Sequence, residues 1–431
     1  MRIRLGLTRR QKEAIGILQI GTFLEYFDLL LYVHMAVLLN ELFFPQTDPH
    51  TQALLTAFAF CSIYIMAPVG ALVFGYVGDR FGRKIVIIIT TSMMAASCLI
   101  LANLPTYSQI GITSTYMITL CRMLQGMAAS SEATGAQIFI TEITKPPVQY
   151  VAVSTIGISS SIGACTALGL ASLVTSSQMG WRTAFLIGAL VAVVGAIARF
   201  RLFETPEFMQ MQMKRKENKI IKQESVVEDK IAKKTLLAYF LIYCGCPLTF
   251  YLAFMYFAPV LKNFGYTSEK IIVHNFVLCI IATMISTMFA TMGYRMHPLK
   301  ILRARGVGTL VLAVILPMAM VNVSSPPDIF FLQMLILLVG LEPMPADAIF
   351  IKYFPVLQRF KYVGLLGSLR MVVMFTGTSF GFVYLNESIG HWGLLVIMVP
   401  VTLGFLWGVN HFRKMEKHNA LDDSNTIAMA A

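Results

Sequence analysis

Long apolar runs recur along the whole of this chain, separated by short polar breaks. A helix needs about 20 apolar residues to span the hydrocarbon core of a bilayer, whereas a run of about 10 to 14 is more typical of a buried helix in a soluble core. Because backbone groups in lipid must be hydrogen-bonded within their own segment, the longer runs predict an all-α integral membrane protein with transmembrane helices. The sequence contains twelve of them, near residues 13–39, 53–77, 84–103, 113–141, 148–174, 182–201, 235–261, 271–294, 301–321, 328–351, 363–386 and 391–412.

The overall composition agrees with a membrane environment and excludes a soluble globular protein. Hydrophobic residues make up 57% of the chain and charged residues only 13%. The formal net charge of +12 would suit nucleic acid, but the basic residues form short clusters between apolar runs instead of one stripe with interleaved aromatic residues. We therefore expect the lipid bilayer, and no nucleic acid, as a partner.

A charged segment poor in aromatic residues divides the apolar runs into two sets of six. This segment is too polar to form a core of its own. We predict an N-terminal six-helix bundle over residues 1–201, a cytoplasmic linker over 202–234, a C-terminal six-helix bundle over 235–412 and a cytoplasmic tail over 413–431. Two such halves are typical of transporters that hold a substrate near the midplane between them.

The distribution of lysine and arginine predicts the orientation. Only Arg182, Lys262 and Lys270 fall in loops on one face, and only Arg122 and Arg370 are assigned to spans. The other basic residues are assigned to the N-terminal segment, the linker, the tail or the loops of the opposite face. Because cytoplasmic loops are enriched in lysine and arginine, both termini are predicted to be cytoplasmic.

A glycine-rich charged turn joins the second and third apolar runs. Its glycines permit a tight backbone, its aspartate can cap or pair with a helix end, and its basic residues favour the cytoplasmic face. On chemistry alone, an ordinary basic hairpin fits equally well. The candidate functional residues of this turn are Gly75, Asp79, Arg80, Gly82, Arg83 and Lys84, which the resemblance described next implies to be a gating motif.

The ordered pattern GYVGDRFGRK at 75–84 resembles the G-x-x-x-D-R-x-G-R-K signature that the major facilitator superfamily carries between its second and third helices. The resemblance implies two six-helix bundles around a central cavity, and transport by rocking one half against the other. We expect Asp79 to contact the second half near Gly364. The corresponding stretch of the second half, GYRMHPLK at 293–300, contains no acid and is degenerate.

Three polar side chains share a face of the first span. Glu25, Asp28 and Tyr32 are three and four residues apart, which places them on the same side of a helix. An ionisable group at the centre of a membrane helix costs about 2.5 to 3.5 kcal/mol on insertion scales, so it needs a partner or a function. This face is therefore predicted to point inward. Each carboxylate either serves transport or locks the bundle by pairing with a neighbouring helix.

The fourth span contributes a second candidate set. Gln125 and Glu132 are seven residues apart and share a face, and Arg122 lies one turn from Gln125. A buried guanidinium can clamp a carboxylate with two hydrogen bonds, whether that carboxylate belongs to Asp28 or to a substrate. We hypothesise that Asp28 and Arg122 form a pair that links proton binding to substrate binding. The alternative is that Arg122 forms a purely structural pair near the end of its span.

The tenth and eleventh spans contribute the candidates of the second half. Glu342 and Asp347 flank two prolines, Pro343 and Pro345, that break the helix. Broken backbone is tolerated at membrane depth only beside protein or a water-filled cavity, so this stretch is predicted to form a cavity wall. Arg370 is the expected partner of these acids. It either serves transport or forms a salt bridge to Glu342 or Asp347 with no transport role.

These residues also carry a narrower resemblance. The chain is similar to the metabolite:proton symporter branch of the superfamily, which includes proline/betaine, alpha-ketoglutarate and shikimate transporters. The features concerned are EYFD at 25–28 with Tyr32, the stretch 122–132, GWR at 180–182 and ETPEF at 204–208. The sequence departs from that branch at SSEA, residues 130–133, where the family usually has two glycines before the acid and a tryptophan after it.

The resemblance implies proton-coupled import of a small polar organic solute, such as an amino acid, an osmolyte or a carboxylate, across a bacterial inner membrane. Two alternatives remain at this point: export of a drug or metabolite, and a membrane sensor that keeps the scaffold without transporting. The sequence leaves the oligomeric state open, with a monomer as the simplest form.

The sequence also indicates what the protein does not use. A nucleotide-binding G-x-x-x-x-G-K-[ST] loop is absent, and the seven cysteines show no paired C-x-x-C spacing. No nucleophile and base, and no metal-ligand cluster, are placed together by spacing. We therefore expect neither an enzyme nor a cofactor or metal, and a proton gradient as the energy source.

Overall fold

The computed structural model describes residues 7–45, 48–81, 83–129, 132–176, 180–200, 231–355 and 359–430, and within these ranges every regular element is a helix. The N-terminal half contains nine helices in its described part. They are α1 (Arg9–Phe43), α2 (Pro49–Ile65), α3 (Ala67–Phe81), α4 (Arg83–Asn103), α5 (Tyr107–Ile110), α6 (Ile112–Ala129), α7 (Glu132–Ile143), α8 (Val148–Ser176) and α9 (Trp181–Phe200).

The C-terminal half is more often interrupted. Its seventh span includes a π-helical turn at Tyr251–Met255, and a short 3-10 helix at Gly390–Trp392 precedes the last span. The α-helices are α10 (Lys233–Tyr243), α11 (Gly245–Phe250), α12 (Ala258–Asn263), α13 (Ser268–Arg295), α14 (Pro298–Val321), α15 (Pro326–Val339), α16 (Asp347–Lys352), α17 (Arg359–Ile389) and α18 (Gly393–Ala430).

Each of the twelve predicted spans coincides with one of these helices or with a set of consecutive ones. The second span consists of α2 and α3, the fourth of α6 and α7, the seventh of α10 to α12, and the tenth of α15 and α16. Among the described residues, seven helical stretches are long and apolar enough to cross a membrane on their own. The molecule thus has the predicted twelve-helix membrane architecture.

The predicted boundaries of the linker and the tail do not coincide with the ends of the helices. Residues 201–230, most of the predicted linker, lie outside the described part of the chain, and α10 already begins at Lys233. The segment predicted as a tail from residue 413 continues α18 as helix to Ala430. The predicted span ends where the apolar run ends, whereas the helix itself continues into polar residues.

Local sequence determines where several helices begin. Thr8 accepts a hydrogen bond from the backbone nitrogen of Gln11 and so caps α1. Asp48 does the same for Thr51 at the start of α2, with Pro49 in the first helical position. Side chains of this kind satisfy the free N–H groups of a first turn, and proline fits there because it has no N–H to satisfy.

Small residues allow α8 to pack tightly against α1. A Cβ atom at Gly163 would collide with the backbone oxygen of Phe23, so only glycine fits there. Ala167 and Ala171, one and two turns further along α8, are completely buried. Gly163, Ala167 and Ala171 recur every four residues along the fifth span, a spacing that favours close helix packing, and here they pack against α1.

The helices alternate in direction, which defines two ends of the bundle. We call the end at which α1 begins and α9 ends the linker end. There the Gln11 side chain donates a 2.6 Å hydrogen bond to the backbone oxygen of Ile143, at the end of α7. At the opposite end, the hydroxyl of Thr115 donates to the backbone oxygen of Phe43 over 2.6 Å. The loops predicted to face one side of the membrane thus meet at one end.

Candidate functional site

A cavity of about 330 Å³ lies between the two halves. The first half contributes walls from α1, α2, α7 and α8, and the second half contributes walls from α10, α11, α13 and the stretch from α15 to α17. Cavities that bind small organic molecules have volumes from about 300 to 1,000 Å³. This one is therefore large enough for a single small solute.

Four of the predicted site residues line the cavity: Glu25, Glu342, Asp347 and Arg370. Glu342 lies in the non-helical stretch between α15, which ends at Val339, and α16, which begins at Asp347. This is the break that the two prolines of the tenth span predict, and its position on the cavity wall is confirmed.

Arg370 and Asp347 are organised around Tyr243 of α10. The hydroxyl of Tyr243 donates a 2.7 Å hydrogen bond to Oδ1 of Asp347. Arg370 donates from Nη1 to the backbone oxygen of Tyr243 over 3.1 Å and from Nε to the backbone oxygen of Gly367 over 3.2 Å. Its guanidinium carbon lies 4.8 Å from the centre of the Tyr243 ring. Tyr243 is not among the residues predicted from the sequence, because nothing in its apolar run distinguishes it from a packing residue.

The partner of Glu342 corrects the sequence analysis. An ion pair of 3.7 Å joins Oε2 of Glu342 to Nη2 of Arg305, and Arg370 forms no ion pair with either acid among the described residues. The charge distribution counts Arg305 with the loop residues although the predicted ninth span begins at 301; it lies near the start of α14, is only 4% exposed and stacks on the Phe289 ring at 4.4 Å. Several basic residues lie near the start of the ninth span. Which of them faces the protein interior depends on the rotation of the helix about its axis, and the sequence does not show that rotation.

Arg122 belongs to a separate cluster inside the first half, and it does not line the cavity. It is 1% exposed, donates from Nη1 to Oε1 of Gln125 over 3.1 Å, and lies 3.8 Å above the centre of the Tyr32 ring. Gln125 in turn donates to the sulfur of Cys98 over 3.7 Å. This arginine therefore connects α1, α4 and α6 in the interior of the bundle, where its surroundings exclude water.

Asp28 is buried next to α9 in the same half. It is 4% exposed, and its Oδ1 would lie 3.8 Å from a Cβ atom at Gly188. The ion pairs of the described residues include none between Asp28 and Arg122, so their pairing stays a prediction. Glu25 lines the cavity whereas Asp28 and Tyr32 do not. Of the three residues on the predicted face, Glu25 therefore points into the cavity, whereas Asp28 and Tyr32 lie inside the bundle of the first half.

The remaining predicted residues are located by backbone only. Asp79 and Arg80 lie in the last turn of α3, downstream of Gly75, and Arg83 and Lys84 begin α4. Glu132 begins α7. The side chains of these residues, and Gly82 altogether, lie outside the described part of the structure. The second-half helix α17 packs along α3, the helix that carries Asp79, and the contact between Asp79 and the region of Gly364 stays a prediction.

The two halves contact each other at both ends of the cavity. At the linker end, Nη1 of Arg359 lies 2.6 Å from Oε1 of Glu142. At the opposite end, Nδ1 of His50 lies 2.7 Å from Oε1 of Glu387, and Nζ of Lys262 lies 2.9 Å from Oε1 of Glu41. These polar contacts join the same two bodies across the cavity.

Aromatic rings from both halves form part of the cavity wall. The rings of Tyr64 and Phe375 stack with their centres 4.0 Å apart, and Phe60 meets Phe375 edge-on at 5.2 Å. Tyr64 and Phe375 come from opposite halves, and both line the cavity. The cavity is therefore bounded by aromatic side chains as well as by charged ones.

Comparison with known proteins agrees with this architecture. Residues 18–378 match the family model described as Major Facilitator Superfamily. The proline/betaine transporter of Salmonella typhimurium is 30% identical over 291 residues, which cover 64% of this chain and 57% of that protein. The inner membrane metabolite transport protein YhjE of Escherichia coli is 32% identical over 222 residues, 50% of each chain. The chain thus spans little more than half the length of these relatives.

Solved structures show the same fold at low sequence identity. The xylose transporter XylE from E. coli, in a partially occluded inward open conformation, superposes with a TM-score of 0.70 at 14% identity, covering 93% of this chain and 98% of that one. The human organic anion transporter MFSD10 superposes with a TM-score of 0.66 at 14% identity, covering 93% and 100%. At this level of identity, the likeness concerns the fold.

Proposed function

The chain belongs to the major facilitator superfamily of membrane transporters, and we propose that it imports a small zwitterionic organic solute together with protons. The observation that carries the proposal is the mixed charge of the cavity wall. Glu25, Glu342, Asp347 and Arg370 lie around a space of about 330 Å³. Acids and a base around one small volume suit a solute that carries both charges, such as an amino acid or a betaine.

Arg370 is the proposed site for the carboxylate of the solute. Its described hydrogen bonds use Nε and Nη1, so Nη2 remains for a ligand. A guanidinium held at two positions presents its remaining donor in a fixed direction, which favours a carboxylate over a neutral oxygen. Because Arg370 lines the cavity, such a ligand would reach it directly.

The cationic group of the solute would lie on the opposite wall. Glu25 lines that wall together with Tyr26 and Tyr64. A carboxylate attracts an ammonium group, and aromatic faces attract a cation by about 0.5 to 2 kcal/mol depending on how fully it is desolvated. The relative from Salmonella typhimurium is a proline/betaine transporter, and proline and betaine each carry both a carboxylate and a cationic nitrogen. We propose the same class of solute for this chain.

The buried cluster of the first half is the proposed site of proton coupling. Asp28 and Arg122 lie in a water-excluded region next to the cavity, and Nε and Nη2 of Arg122 donate no hydrogen bond to the part of the chain that the structure describes. These two nitrogens are the proposed hydrogen-bond donors to the Asp28 carboxylate when the helices move. Protonation of Asp28 would then release Arg122, which links the proton to the conformation of the half.

We propose a bacterial inner membrane location with both termini in the cytoplasm. The support is the accumulation of arginine and lysine at the linker end, which the positive-inside rule places in the cytoplasm. Labelling of single cysteines in intact cells tests the orientation. A cysteine placed in segment 202–234 should react only after the cells are permeabilised, and reaction in intact cells would reverse the orientation.

Uptake into membrane vesicles tests the function. Vesicles containing the protein should accumulate labelled proline or glycine betaine when a proton gradient is imposed, and a protonophore should abolish the accumulation. Gradient-driven expulsion of the label would indicate an exporter. Binding that raises the melting temperature of the purified protein without any accumulation would indicate a sensor on the same scaffold. If the protein neither binds nor accumulates these solutes, the proposed solute class is wrong.

A further inference from the structure

Two cysteines meet across the boundary between the halves. α8 of the first half packs along α13 of the second half, close enough for a Cβ atom at Gly169 to lie 3.0 Å from the Phe276 ring. One turn away, Cys165 of α8 and Cys279 of α13 lie next to each other across the same contact. The sulfur of Cys279 also lies 3.9 Å from the backbone oxygen of Ser161 in α8.

The pair is accessible from the cavity. Cys279 lines the cavity together with Ser161 and Ala282, its neighbours on the two helices. Cys165 is half-buried and is not part of the cavity lining. A small reagent dissolved in the cavity therefore reaches the Cys279 thiol first, and the Cys165 thiol is its neighbour on α8.

We propose that Cys165 and Cys279 form a dithiol site at which a two-electron oxidant, such as a peroxide or a diazene, closes a disulfide between the halves. Each thiol gives up one hydrogen atom and one sulfur–sulfur bond forms. With hydrogen peroxide, the oxygen–oxygen bond breaks and two water molecules result. With a diazene, the nitrogen–nitrogen double bond takes up both hydrogens and becomes a hydrazine. Disulfide chemistry proceeds through the thiolate, so the reaction is faster at higher pH.

The bond would arrest transport, a consequence that rests on the proposed function. In alternating access, one half moves relative to the other around the cavity. α8 and α13 belong to different halves, so a covalent bond between them holds the halves in one relative position. Non-covalent contacts such as the Tyr64–Phe375 stack can separate and reform, whereas a disulfide cannot do so without a reductant.

A cleavage assay on the full chain tests the bond. A protease site is inserted in segment 202–234, membranes are treated with diamide and then with protease, and the products are separated on a non-reducing gel. The two halves of the wild-type chain should run together until dithiothreitol is added. The halves of C165S and of C279S should separate even after diamide. C246S, which removes a different cavity-lining thiol, should still cross-link.

Three results would overturn the site. One is separation of the wild-type halves after diamide, another is cross-linking that persists in C165S, and the third is a cross-link that joins two chains at twice the mass. All three are read from the gel alone, so they do not depend on which solute the protein carries.

Uptake measured in parallel tests the arrest. Diamide should lower the initial rate of proline uptake by at least about tenfold in the wild-type protein, with recovery after dithiothreitol, because a locked carrier cannot alternate. C165S should keep its untreated rate in diamide, since Cys165 does not line the cavity. A complete cross-link with unchanged uptake would overturn the arrest. Absence of uptake before any treatment would contradict the proposed function instead, and the gel result would stand.

Discussion

The two halves of the molecule bury their arginines in different surroundings. Arg122 of the first half lies inside its own bundle, over the Tyr32 ring and against Gln125, and does not line the cavity. Arg370 of the second half lines the cavity and is held there by two backbone oxygens. A buried arginine in a membrane bundle is therefore not by itself a substrate site, because its position relative to the cavity decides what it can contact.

The backbone along the cavity also differs between the two halves. α1 and α8 pass the cavity as uninterrupted helices of 35 and 29 residues. The tenth span is non-helical between Val339 and Asp347 at the cavity wall, so some of its backbone carbonyls are not used within a helix. On the proposed function, this contrast predicts that the second half mainly recognises the solute and the first half mainly couples it to protons.

Substitution of Asp28 by asparagine is expected to have the largest effect. The amide mimics the protonated acid, so proton-driven accumulation should be abolished, while binding and exchange of labelled solute across the membrane persist. Uptake against a gradient and counterflow in vesicles measure the two activities separately. The matched variant is Glu25→Gln in the cavity, which should weaken binding of the solute cation instead.

Wild-type accumulation by the Asp28→Asn protein would break the comparison between the halves. The coupling role would then move to an acid on the cavity wall, where Glu25 and Glu342 are half-buried and Asp347 is buried. Loss of both binding and exchange, with a lowered melting temperature, would show that Asp28 supports the fold instead of the coupling.

Substitution of Arg370 by alanine should have the next largest effect, and it should act on affinity. A hydrogen bond to a charged group contributes about 1.5 to 3 kcal/mol, which corresponds to roughly 10- to 150-fold weaker binding. Isothermal titration with proline or glycine betaine measures the change. Arg122→Lys is the contrasting variant: it keeps the charge outside the cavity, so affinity should change little while coupling is impaired. Equal losses of affinity in both variants would remove the distinction between the two arginines.

The sequence is sufficient to predict the elements that depend on composition along one helix. Apolar length alone locates the twelve spans, and two prolines beside two acids locate the broken cavity wall of the tenth span. The stripe through Gly163 and Ala167 likewise predicts a close helix contact, because only small side chains permit it. None of these features requires knowledge of which helices are neighbours.

The features that sequence could not predict depend on helix rotation and on neighbours from distant parts of the chain. Glu25 and Asp28 are one turn apart, yet only Glu25 reaches the cavity, because the edge of the cavity passes between them. Arg305 pairs with Glu342 although the sequence suggests Arg370, since the phase of α14 turns Arg305 inward. The hydrogen bond from Tyr243 to Asp347 is of the same kind, because an apolar run shows no sign of it.

Removal of the Tyr243 hydroxyl should have a moderate effect and sharpens the assignment of recognition to the second half. Tyr243→Phe takes away one hydrogen bond to Asp347, worth about 0.5 to 1.5 kcal/mol, so we expect roughly 2- to 12-fold weaker solute binding. Tyr353→Phe is the control, because its hydroxyl bonds Glu416 over 2.8 Å at the linker end and does not line the cavity. An unchanged affinity in Tyr243→Phe would show that Asp347 keeps its position without the tyrosine and would weaken the role of this cluster.

The smallest effect is expected where the halves contact each other symmetrically, at the two ends of the cavity. Glu142→Gln removes the ion pair with Arg359 at the linker end, and Glu387→Gln removes the pair with His50 at the opposite end. The exposed pair of His50 with Glu387 contributes about 0.2 to 1 kcal/mol, enough to shift the balance between conformations by at most about fivefold. The pair of Glu142 with the buried Arg359 is expected to shift it somewhat more. Since each variant loosens a different end, the two should shift the balance in opposite directions, which thiol labelling of a cysteine placed at each end would measure. A shift in the same direction would mean that these pairs stabilise the bundle as a whole and do not hold its ends separately.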